Sequence, residues 1–254
     1  MGLLDSIKKH FRFGKEETIQ LIISILVVGF ILSFRYWGGA DVDYQSGFYN
    51  LVGLTLVGAF SLLIHISVQK VMAIKQGATV SYRLWPLGLL LSLVACFVSN
   101  GWFVLLLLGG INFSSLYYHL LGREFQELTM KARIKVAFSG IFSNLLLAAF
   151  FKYLIIAGKT NLFIEKAFVL NLLLAFYSVL PLFQWERVFA YKSSHVNLDG
   201  FHIFYASKPL WLFSIIFVLL FILLIIKFNA LFSLVFSALI GMAIALIYLY
   251  YKML

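Results

Sequence analysis

The chain has 254 residues, 63% of them hydrophobic and 12% charged, with a mean hydropathy of +0.99. A water-soluble domain carries about twice that charged fraction, so a soluble globular protein is excluded. The formal charge of +10 does not point to nucleic acid, because the cations are dispersed in loops between apolar runs and form no interleaved basic and aromatic surface. Cys96 is the one cysteine, which rules out a disulfide within the chain.

At the N-terminus Leu3, Leu4, Ile7 and Phe11 fall at helical spacing beside Lys8, Lys9 and Arg12. Residues 1–17 therefore read either as a short amphipathic helix on an anionic membrane face or as a disordered basic tail. No small-residue cleavage site precedes the first apolar run, so an uncleaved, cytoplasmic N-terminus is expected. A helix crossing the ~30 Å hydrocarbon layer needs ~20 residues. Thr18 to Phe34, Leu51 to Ile74, Val136 to Ala157, Ala167 to Phe183, Leu210 to Ile226 and Leu231 to Tyr250 meet or nearly meet that length. Leu84 to Phe113 is apolar but broken by Pro86, Gly88, Ser99-Asn100-Gly101 and Gly109-Gly110. It reads as one short helix followed by a re-entrant or strand-like piece, tolerated at membrane depth only where protein buries it. The fold class is thus an all-α polytopic membrane protein of six to seven transmembrane helices, with a short strand-like or re-entrant element after the second. Residues 18–254 form a single transmembrane domain.

Lys and Arg set orientation. With the N-terminus cytoplasmic, Arg35, Lys152, Lys159, Lys166 and Lys227 lie outside and the other 15 of the 20 cations inside. That imbalance favours a cytoplasmic N-terminus in a prokaryotic plasma membrane.

Ionisable groups at membrane depth are costly and are functional suspects by default, which singles out His65 in the second apolar helix. A zinc-binding helix places two His four residues apart with a Glu beside the first, so that both imidazoles reach the metal while the carboxylate activates its water. Here those three positions hold His65, Ile66 and Gln69. Taken alone, this is no motif, and a lone intramembrane His is more often a hydrogen-bonding group between helices than a metal ligand.

The stretch from His65 to Gly88 resembles the first active-site segment of archaeal site-2-protease-like intramembrane metalloproteases. That family has His-Glu-x-x-His-Lys, then Lys-x-Gly, then Arg-x-Trp-Pro-x-Gly; this chain keeps Lys70, Lys75, Gly77, Arg83, Trp85, Pro86 and Gly88. Ser139-Gly-Ile-Phe-Ser-Asn144 is similar to the family's Ala-Gly-Pro-x-x-Asn, a helix start, without its Pro. Val179-Leu-Pro181 and Asn197-Leu-Asp-Gly200 resemble the two halves of the last signature, whose Asp is a zinc ligand. Ser178 stands near the family's Asn, and an insertion from Leu182 to Val196 separates the halves. The likeness covers about residues 51–220.

The resemblance implies metal-ligand positions at His65 and Asp199, with Gln69 in place of the second His and Ile66 at the general-base position. Asn144, Pro181 and Gly200 are implied structural neighbours of the site. A zinc site needs about three protein ligands, and loss of a positioned base alone costs 10²–10⁴-fold. The expected function is therefore that of a proteolytically inactive relative, without a zinc cofactor, that binds transmembrane protein clients among the membrane lipids and no nucleic acid. One alternative is an active zinc metalloendopeptidase with rearranged ligands, in which His202, one helical turn after Asp199, joins His65 and Asp199. The bland reading of His202 is a solvated or capping residue at a helix start. A small transporter is a third reading; it predicts paired charges inside several helices. His119 and His195 have weaker claims on any site.

Overall fold

A computed structural model describes residues 3–38, 43–115, 129–182 and 198–253. His119, His195 and nearly all of the insertion after Leu182 lie outside the described residues. The elements run α1 (Leu3–His10), α2 (Lys15–Ser33), α3 (Tyr44–Lys75), β1 (Ala78–Leu84), α4 (Pro86–Val98), β2 (Gly109–Ser115), α5 (Met130–Ile156), α6 (Leu162–Val179), α7 (Asp199–Ala206), α8 (Lys208–Lys227) and α9 (Ala230–Met253).

Six of these helices, α2, α3, α5, α6, α8 and α9, are long and apolar enough to cross a membrane. They hold 18 to 32 residues each, about 27–48 Å of helix. Their starts are written locally. Asp43 accepts from the Gln45 and Ser46 backbone at the head of α3, Thr129 from Ala132 at α5, and Asn161 from Ile164 at α6. Large apolar side chains such as Leu56, Leu223 and Leu246 remain exposed on the outer faces, as a lipid solvent allows and water does not.

The interrupted segment becomes a re-entrant excursion. Pro86 occupies the first turn of α4, where its missing N–H costs nothing. Phe97 packs on Phe30 and Phe34, and Arg35 stacks over Trp102 at 3.9 Å, so α4 runs alongside α2 to the latter's C-terminal end. The chain then returns through residues 102–108 into β2. The strand-like element is more than the single piece expected: β1 and β2 form a two-stranded antiparallel sheet in which Val80 faces Phe113 and Leu84 faces Gly109.

An open strand edge is costly at membrane depth. α2 and α3 cover the outer edge of β1 with side chains. Glu17 Oε1 accepts from the Tyr82 N–H at 2.8 Å, Gln20 Oε1 accepts from the Leu84 N–H at 3.0 Å, and Lys70 Nζ donates to the Val80 carbonyl at 2.9 Å. Lys70 Nζ also lies 2.9 Å from both oxygens of the buried Glu17 carboxylate. The first long helix thus begins at Lys15, and Glu17, assigned from the sequence to the N-terminal tail, is a buried part of the membrane domain.

Beside a small apolar cluster around Ala73, Val80, Ile111 and Val136, two larger ones fill the interior. One joins α2, α3, α4 and α6 through Val28, Leu54, Ile66 and Leu170; the other joins α5 to α8 through Ile141, Leu145, Phe217 and Phe221. Between them lie the polar side chains that the sequence singles out.

Candidate functional site

α3 brings His65, Ile66 and Gln69 to the seam, α5 brings Gly140 and Asn144, and the short α7 brings Asp199. His65 stands ten residues before the end of α3, about 15 Å of helix, which places the site in the half of the bundle that carries the N-terminus. α3 and α5 approach closely because residue 140 is glycine. A Cβ there would meet His65 Nε2 at 2.7 Å and crowd the Gln69 amide. Gly200 does the same for α7, since a Cβ would run into the Val179 carbonyl at the end of α6. Leu180, extended at φ −66 and ψ 136 ahead of Pro181, ends α6 and turns the chain away.

The hydrogen bonds form one directed chain. Asn144 Nδ2 donates to His65 Nδ1 at 2.9 Å, which leaves the ring proton on Nε2. That proton is donated to Asp199 Oδ2 at 3.1 Å. His65, Asn144 and Asp199 are all buried, and so is Gln69. Several atoms around the pair have no partner: Asp199 Oδ1, Asn144 Oδ1 and both amide atoms of Gln69. Each orphaned polar atom costs about 1–3 kcal/mol. A cavity of about 40 Å³ lies against Gln69 and Asp199, lined also by His65, Ile66, Ile111 and Ser178, with room for an ordered water molecule.

A catalytic zinc does not fit this set. His65 and Asp199 supply two ligands of the usual kinds, but the third position offers only a neutral amide at Gln69. Ile66, 1% exposed, occupies the base position with a side chain that can neither take nor give a proton. Among the described residues no three His, Cys, Asp or Glu side chains gather as a metal set, so His202 is not brought in as the third ligand.

His202 is not solvated or capping either. It is buried, packed edge-on against Phe113 with ring centroids 4.9 Å apart, and bonded to the Ile111 backbone. Burial pushes its imidazole below the ordinary range, against the pull of Asp199. A second correction concerns Ser139–Asn144: it is no helix start, because α5 begins at Met130 and the segment is helix interior. The sequence reading missed Gly140, whose signal is its position one turn before Asn144 on the same helix face. It also missed Glu17, which the sequence places in the N-terminal tail ahead of the first apolar run.

The structure thus defines a polytopic helical membrane protein with an embedded two-stranded sheet and a buried His–Asp pair. The chain is 28% identical over 184 residues to a protein of Methanocaldococcus jannaschii named "Putative zinc metalloprotease", an alignment covering 70% of this chain and 85% of that relative. No family profile matches the chain, and no solved structure does.

Proposed function

We propose that this protein is a proteolytically inactive relative of the site-2 metalloproteases that holds transmembrane clients at the cavity beside His65. One observation carries the reading: Ile66 fills the position where proteolysis requires a base, fully packed and facing the cavity. The similarity to an archaeal protein named a putative zinc metalloprotease is consistent with the family, and the six long apolar helices support a membrane location. The client role draws on β2, which pairs with β1 alone among the described residues and lines the cavity with Gly109, Gly110 and Ile111. An extended segment can bind such a strand through its backbone, with side chains entering the adjoining space. The N-terminus is cytoplasmic in this reading, and the exposed apolar faces meet lipid.

The orphaned atoms of Asp199 and Gln69 favour a second reading, an active metallopeptidase with altered ligands. Metal content separates the two. Elemental mass spectrometry of the detergent-purified chain, beside His65→Ala and Asp199→Ala, is expected to find no stoichiometric zinc or iron in any of the three. About one metal per chain in the native protein, lost in both variants, would overturn the inactive reading.

A further inference from the structure

A second cavity, of about 330 Å³, opens beside the first, between β2, the first turn of α5 and α7. Its walls include Phe113, Arg133 and His202, and its mouth is formed by Met130 and Tyr205, both exposed. Two polar atoms on this lining are buried and unpartnered, Arg133 Nε and His202 Nε2. Buried polar atoms are rarely left so, and two on one cavity call for a ligand that satisfies both.

The two atoms ask for opposite things. Arg133 Nε is an obligate donor on a permanent cation, held 5.8 Å from the Phe113 ring centroid by its guanidinium carbon. His202 Nε2 has no partner, so the bond to the Ile111 backbone belongs to Nδ1; in the neutral ring Nε2 is then an acceptor. A ligand that fits therefore presents an anionic oxygen and, beside it, a hydroxyl. Phosphate suits the guanidinium fork and the positive end of the 27-residue α5, whose first turn supplies Met130 and Arg133. Lys131 and Lys135, two residues to either side of Arg133, are exposed and lie on another face of α5, so neither lines the cavity. The acid nearest His202 is Asp199, whose Oδ2 is engaged by His65.

We propose that this cavity binds a hydroxyl-bearing phosphate ester, with the phosphate on Arg133 and the hydroxyl donating to His202 Nε2. Two sources share that chemistry: a phosphoglycerol lipid headgroup, for which the exposed Met130 and Tyr205 provide an amphipathic rim, and a soluble glycerol phosphate.

The test uses the full chain in detergent. Native mass spectrometry titrates phosphatidylglycerol and, as a phosphate without a free hydroxyl, phosphatidylcholine; a thermal-shift titration uses glycerol 3-phosphate. Phosphatidylglycerol is expected to bind the native chain more tightly than phosphatidylcholine. Affinity should fall about tenfold or more in both Arg133→Gln and His202→Leu, and less than about twofold in Lys131→Gln. Binding of glycerol 3-phosphate alone, with the same dependence on the two residues, sustains the site and assigns it a soluble ligand. Equal affinity for the two lipids, wild-type affinity in both variants, or no binding of any probe at millimolar concentration overturns the proposal. Should Arg133→Gln fail to fold, His202→Leu decides by the same criteria.

Discussion

His65 sits where a zincin-like helix would hold its first ligand, yet its two ring nitrogens are both committed, one to Asn144 and one to Asp199. The neighbouring positions explain why the pair closes on itself: Ile66 offers no lone pair and Gln69 no charge. Restoring both should reopen the site. The Ile66→Glu/Gln69→His variant is expected to acquire about one zinc per chain, measured by elemental mass spectrometry on protein purified with zinc present; a metal-free double variant would show that the backbone no longer supports the geometry. The glycines make a sharper structural test. Gly140→Ala meets side-chain ends that can yield, and should cost about 1–3 kcal/mol, whereas Gly200→Ala meets the Val179 backbone and should cost more. Thermal melting in detergent ranks them, and the reverse order would mean that α7 is not seated against α6 as described.

At the scale of elements, the embedded sheet depends on side chains from helices. β1 has its outer N–H groups taken by Glu17 and Gln20 and its Val80 carbonyl by Lys70, so α2 serves the strand as a neighbouring strand would. The Lys70–Glu17 pair is buried on both sides, and a buried pair broken at one partner typically costs about 3–5 kcal/mol because a charge is left uncompensated. Lys70→Met should therefore destabilise strongly, and Glu17→Gln/Lys70→Met by less than the sum of its single changes. Denaturation in detergent reads this coupling, and additive losses would mean that the two charges do not meet. The periodicity of α2 gives no hint of the arrangement. Glu16 and Glu17 look alike in sequence, but Glu16 pairs with Arg83 at the surface while Glu17 is buried.

Six helices among the described residues are long and apolar enough to cross a membrane, and the His65 site lies in the half of the bundle where α2 begins and α3 ends. The distribution of Lys and Arg predicts that this half faces the cytoplasm, which cysteine labelling tests. In a Cys96→Ser background, a cysteine at Lys159 should react with an impermeant maleimide on intact cells, and one at Lys131 only after permeabilisation. Labelling in the opposite pattern would invert the topology and put the site on the outer half.

Hydropathy and segment length by themselves determined the membrane class, the six long helices and the interruption after the second, because spanning a hydrocarbon layer constrains each segment on its own. The motif frame likewise marked His65, Gln69, Asn144 and Asp199 as neighbours although 134 residues separate His65 from Asp199. Tertiary structure alone decided how those neighbours spend their hydrogen bonds. The closure of His65 on Asp199, the burial of His202 against Phe113 and the use of Glu17 as the edge of a sheet each depend on where a distant element comes to rest. A side chain's spacing along its own helix fixes the face it occupies, but its partners are set by packing between helices, which no local pattern encodes.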